Sequence, residues 1–186
     1  MRTEFTRLNQ GWDAEPNAPD PTISVDGRQL VLSFFLNPWH GSNVRVFDRG
    51  ELIFQDCWRY RLGETNDEGW YKKQCRFSLV APEWGKFYEV CGDLRLQTAP
   101  NDWVPLGTPA SEESHHFLFY FRDETFECDA KGWLFRTLPI PDADLERIRS
   151  VARTVTLQRG SWLETFCGFL SAPYWLLRRI RARIFR

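Results

Sequence analysis

A single Met, three His and five widely spaced Cys leave this 186-residue chain poor in the residue types from which familiar sites are built. The cysteines (57, 75, 91, 128 and 167) stand 18, 16, 37 and 39 residues apart, with no Cys-x-x-Cys or Cys-x-x-His, which argues against a structural zinc site of the common kind. An odd number of cysteines in a chain large enough to fold without staples reads as reduced thiols in or near a core. There is no Gly-x-Ser-x-Gly elbow, no Gly-rich phosphate loop with Lys and no His-Glu-x-x-His. His115 and His116 are adjacent at a strand start and point to opposite faces, while His40 lies in a turn. No catalytic residue, metal or cofactor is therefore expected. The first twenty residues lack an apolar core and carry Glu4, Asp13, Glu15 and Asp20, which matches neither a secretory signal nor a transit peptide, and a cytoplasmic location is expected.

Against these shortages stand nine Trp and fifteen Phe, and apolar residues make up 42% of the chain. Large rigid rings favour sheet packing over an adaptable helical bundle. The net charge of −1 conceals a split. Residues 1–150 carry 17 Lys and Arg against 24 Asp and Glu, whereas residues 151–186 carry seven Arg against Glu164 alone, so a body of −7 precedes a segment of +6. An acidic body argues against a nucleic-acid surface anywhere but on that last segment.

Turn signals divide the chain into short pieces. Residues 1–21, rich in Pro and Asp, predict an irregular arm, and residues 22–138 an antiparallel β domain. Strands are expected at 23–25 and 29–36 around an Asp26-Gly27 turn, at 43–47, and at 51–62. In that long run Leu52, Phe54, Trp58, Tyr60 and Leu62 share one face, with Arg59 and Arg61 on the other. A polar loop at 63–69 precedes further strands at 74–80, 87–91, 94–97, 115–121 and 125–128, with a loop at 98–113 between the strands at 94–97 and 115–121. Spacing this short, with no crossover helix, predicts an antiparallel sandwich or strongly curved meander sheet and excludes a parallel α/β fold.

Past Pro139 and Pro141 the period becomes helical. Leu145, Ile148, Val151, Ala152 and Val155 form one stripe, so an amphipathic helix packed on the domain is expected within 139–160. Ser161 and Glu164 have capping-box spacing for a second helix over 162–171, and Pro173 separates it from a last helical stretch. This tail, 161–186, presents Trp162, Phe166, Phe169, Leu170, Trp175, Leu176 and Leu177, then Arg178, Arg179, Arg181, Arg183 and Arg186. Residues 162–177 span about 24 Å as a helix, short of the roughly 30 Å hydrocarbon core of a bilayer. Apolar residues beside Arg fit a helix lying in the interface of an anionic membrane, or docked on its own domain.

The densest polar stretch joins Asn66, Asp67 and Glu68 to Trp70 and Tyr71, with Arg59 and Arg61 upstream. It lacks a complete calcium loop and favours recognition over catalysis. Trp84 and Trp103 also fall at turns, as do Trp39, Trp70 and Trp133, where they either form an aromatic rim or plug the ends of the sheets. Three functions follow from these residues. One is a non-enzymatic protein-binding module using an acidic loop surface against a basic partner, as suits an inhibitor or immunity-type neutralising subunit. Another is a peripheral membrane protein held to the inner face by its Arg-rich tail. The third is a small-ligand-binding β protein or enzyme with Arg59, Arg61 or Arg76 around a cavity.

Overall fold

A computed structural model describes residues 2–41, 43–64, 66–92, 100–108 and 114–158, with side chains followed to residue 150. Ten strands appear among the described residues: β1 (Glu4–Arg7), β2 (Thr22–Asp26), β3 (Gln29–Phe35), β4 (Arg49–Gln55), β5 (Arg59–Glu64), β6 (Phe87–Cys91), β7 (Val104–Pro105), β8 (His115–Tyr120), β9 (Glu124–Ala130) and β10 (Gly132–Leu138). Helix α1 (Asp67–Tyr71) and helix α2 (Asp142–Gln158) complete them. The strands form two antiparallel sheets, one ordered β1-β6-β8-β9-β5-β7 and the other β10-β4-β3-β2. The protein is thus mainly β, as the turn spacing predicts.

Alternation along the strands builds the core. Leu30, Leu32 and Phe34 of β3 and Leu52 and Phe54 of β4 face Phe87, Phe117, Phe119, Phe126 and Cys128 of the larger sheet, all buried. Phe34 meets Phe119 edge-to-face at 5.2 Å, and Phe54 lies 5.4 Å from Phe117. Each buried ring contributes about 2–3 kcal/mol of apolar transfer. Trp12 closes one end by stacking on Phe135 at 4.2 Å. The β2–β3 hairpin turns at Gly27, whose φ of +57° suits the first central position of a tight hairpin turn.

Several expected elements are rearranged. The run 51–62 is not one strand. It breaks at Asp56 (φ +49°), where the chain leaves the smaller sheet for the larger, and the Cys57 and Trp58 amides bond Arg28 and Asp129 carbonyls. Residues 43–47 form no strand, because Asn43 and Phe47 take positive φ and the Asp48 carboxylate accepts from the Arg45 amide at 2.7 Å. Residues 74–80 are likewise a chain of turns, with Lys73, Phe77 and Leu79 all at positive φ. The loop at 63–69 is shorter than expected: β5 reaches Glu64, and Asn66 caps α1 by accepting from the Gly69 amide at 2.8 Å. Within 1–21, β1 pairs with β6, so this segment is not wholly irregular. β7 interrupts the loop 98–113, and β10 adds an edge strand to β4.

Among the described cysteines, Cys57 and Cys128 are buried thiols and half-buried Cys75 packs against the second apolar cluster, in or near a core as expected, whereas Cys91 is exposed. Helix α2 follows Pro141 and buries Ile148. The strand expected at 94–97 and the whole tail 161–186 lie outside the described residues. No helix among the described residues is long and apolar enough to cross a membrane.

Candidate functional site

The face of the larger sheet turned away from the shared core is also covered. Trp70 of α1, then Phe77, Ala81 and Trp84, pack over Tyr88, Val90, Leu118 and Tyr120. Trp84 stacks on Tyr120 at 4.6 Å, and burial pushes the Tyr120 hydroxyl well above its ordinary range. On this face the strand registers place His116 opposite Asp129, Asp129 opposite Arg59, and Glu127 opposite Arg61. A polar set thus lies beside an apolar one beneath the same cover.

The polar set is a closed network. His116 is almost wholly buried, with Nδ1 2.8 Å from Asp129 and Nε2 2.9 Å from Glu127. Ionised carboxylates only accept, so a ring engaged at both nitrogens donates twice and is an imidazolium. Burial lowers the His116 pKa, yet the hydrogen bonds and charges of Asp129 and Glu127 outweigh it and the net shift is upward. Burial likewise works to raise both acids, but His116 with Arg76 and Arg61 holds Glu127 below its usual range, and His116 with Arg59 does the same for Asp129. Glu127 receives Arg61 Nη1 at 2.8 Å and Arg76 Nη1 at 2.5 Å. Arg61 also clamps Asp102 through Nε and Nη2 at 2.8 and 2.9 Å. Arg59 donates Nε to Asp129 and packs against two indoles, its guanidinium carbon 4.2 Å from the Trp58 ring centroid and 4.3 Å from that of Trp103.

A second, open feature lies at the other end of β5. Glu64, Asn66, Gly69, Gln74, Cys75 and Asp123 line a concavity of about 300 Å³. Neither Glu64 nor Asp123 meets a cation among the described residues. Neighbouring Glu124 is held above its usual carboxylate range by burial first, then by the charges of Asp123, Asp20 and Glu64. Burial pushes the Cys75 thiol up, which disfavours its thiolate.

The residues singled out by sequence divide between these features. Arg59, Arg61 and Trp103 belong to the ion network, whereas Asn66 lines the concavity. Asp67 and Glu68 are exposed on α1, where Glu68 pairs with Lys72 at 2.6 Å. Trp70 and Trp84 point inward, as Trp133 does against Phe87, and Trp103 is half-buried. Trp39 at 66% and Tyr71 at 65% are exposed, so there is no continuous rim of five indoles. The tail residues lie outside the described region. Sequence reading missed His116, Glu127, Asp129 and Asp102 as partners of the arginines. Their signal was parity: His116, Glu127 and Asp129 alternate with Phe117, Phe126 and Cys128 and share a face with Leu118 and Tyr120, which marks that face as buried.

No protein-family model, curated protein or solved structure matches this chain.

Proposed function

We propose that this chain is a non-enzymatic protein-binding module that engages a basic partner through α1, the turns that follow it and the carboxylate-lined concavity at their base. The observation carrying this reading is the unbalanced charge at Glu64 and Asp123: two carboxylates line an open hollow without a cation among the described residues, and after burial their charges help to hold Glu124 above its usual range. A Lys or Arg side chain from a partner relieves that repulsion and fits a hollow of this size. The adjoining segment has the character of a contact surface. Trp70, Phe77 and Ala81 anchor it inward, while Tyr71, Leu79 and Val80 stay about half or more exposed. Positive φ at Lys73, Phe77 and Leu79 holds that arrangement, and strained non-glycine backbone is a feature of recognition loops. Asp67 and Glu68 extend the acidic character along α1.

The test compares wild-type protein with Glu64→Lys/Asp123→Lys and with Asp67→Lys/Glu68→Lys as baits in affinity capture from the source cells. A partner of high isoelectric point, recovered in stoichiometric amount by wild type and lost from the first variant at unchanged melting temperature, is the expected result. Equal recovery of the same proteins by all three baits refutes the assignment.

A further inference from the structure

The guanidinium of Arg59 is fixed more firmly than a structural ion pair requires. Its Nε is tied to buried Asp129. It packs against the Trp58 and Trp103 indoles, and Trp58 is itself held by a 2.9 Å hydrogen bond from Nε1 to Ser114 Oγ. Yet neither terminal amino group donates to an acceptor among the described residues, and the side chain remains 23% exposed. A guanidinium anchored at Nε, packed against aromatic rings and with two terminal amino groups that meet no acceptor among the described residues has the components of a bidentate oxyanion receptor. The adjacent arginine shows the same recognition satisfied internally, for Asp102 lies on Arg61 through two bonds of 2.8 and 2.9 Å.

We infer that the Trp58–Arg59–Trp103 clamp is a binding site for a ligand carboxylate, received by the two terminal amino groups of Arg59 beside the Asp102–Arg61 pair. A carboxylate is favoured over a phosphate dianion by charge, because Asp102 and Asp129 stand next to the site and repel a second negative charge more than a first. Access needs no rearrangement, since the Arg59 side chain is partly exposed. The segment that carries Trp103 is held on either side of the ring, by the Asp102–Arg61 pair and by β7 with the Leu106 amide on the Trp58 carbonyl, so the indole stays in place when the terminal amino groups take up a ligand. The site is separate from the carboxylate-lined hollow and stands whether or not a basic partner binds there.

The experiment follows the arginine Nε–H resonances and tryptophan fluorescence of the full chain during titration with acetate, a tetrapeptide with a free C-terminus, the same peptide amidated, and inorganic phosphate. A saturable shift of the Arg59 Nε–H signal with the carboxylates, absent with the amidated peptide, is expected. Tighter binding of the peptide than of acetate identifies a polypeptide terminus as the source, and equal binding a small carboxylic acid. Arg59→Lys keeps the charge but loses the fork and weakens binding by about tenfold or more, the worth of one charge-assisted hydrogen bond. Asp102→Asn leaves Arg59 in place, removes one neighbouring negative charge and tightens binding by roughly fivefold. No saturable shift in wild type with any carboxylate overturns the proposal, as does phosphate binding as tightly as acetate or Arg59→Lys binding like wild type.

Discussion

His116 makes the stability of this protein depend on pH in a direction opposite to that of most buried histidines. A histidine buried neutral must charge when the protein unfolds in acid, whereas His116 is folded as a cation between Glu127 and Asp129. Its folded pKa lies above the unfolded value near 6.5. The stabilisation is therefore complete below about pH 6.5 and is lost as pH rises through the folded pKa. The two acids act in the opposite sense. Their folded pKa values are depressed, so their contribution is present above about pH 4.5 and is lost on further acidification. Maximal stability from this network falls between those limits. His116→Gln separates the effects, since an amide can donate to one carboxylate but must turn its carbonyl oxygen or second N–H to the other at poor geometry. Breaking a buried charged contact costs about 3–5 kcal/mol. The low end applies because Asp129 keeps Arg59 and Glu127 keeps Arg61 and Arg76. About 3 kcal/mol corresponds to a fall of roughly 6–12 °C in melting temperature for a chain of this size. Urea unfolding between pH 5.5 and 9 should show wild-type stability declining with pH and the variant lower at pH 5.5 with a flatter profile. Wild-type stability that rises or stays constant across that interval refutes the imidazolium assignment.

Two further substitutions test the frame around the sites. Gly50 in β4 has no room for a methyl group, since a Cβ there comes within 2.8 Å of Leu36 Cδ2 and 3.0 Å of Phe135 Cε2, so Gly50→Ala should cost about 1–3 kcal/mol in urea unfolding with an unchanged m-value. Asn66→Ala removes the cap of α1 and should cost about 1 kcal/mol, with faster amide exchange at Gly69 and Trp70 than in wild type.

Alternation made much of the core legible, and its failures have definite causes. The hairpin of β2 and β3 was readable because Asp26-Gly27 separates two runs of suitable length. The change of sheet at Asp56 was not, because Leu52 and Phe54 before it and Tyr60 after it keep one parity while the backbone turns. Hydropathy does not record which sheet a strand joins. β10 was overlooked because Trp133 and Phe135 pack inward while Leu134 and Leu138 point outward, which removes the contrast that marks a half-buried strand. Residues 74–80 erred the other way: Cys75, Phe77 and Leu79 alternate like a strand, but positive φ at Phe77 and Leu79 curls the chain over Tyr88 and Tyr120. At the candidate sites, Arg59 and Arg61 were found by their polarity, whereas their acceptors lay 70 and 66 residues away on β9 and, for Arg61, 41 residues away at Asp102.

The buried ion network contributes most to the choice of strand register. An apolar set of similar volume could stabilise the outer face of the larger sheet as well or better, because desolvating Glu127, Asp129 and three arginines offsets much of their mutual attraction. What the charges impose is pairing. His116 must lie opposite Asp129, and Arg61 opposite Glu127, across β8, β9 and β5. Slipping β9 by one residue turns Glu127 and Asp129 into the aromatic core among Phe54, Phe87 and Phe117 and brings Phe126 and Cys128 to the arginines. An all-apolar outer face would leave the two sides of β9 alike and permit that slip. The charges therefore fix β5 against β9, and in doing so hold Arg59 on Asp129 and against the Trp58 and Trp103 indoles.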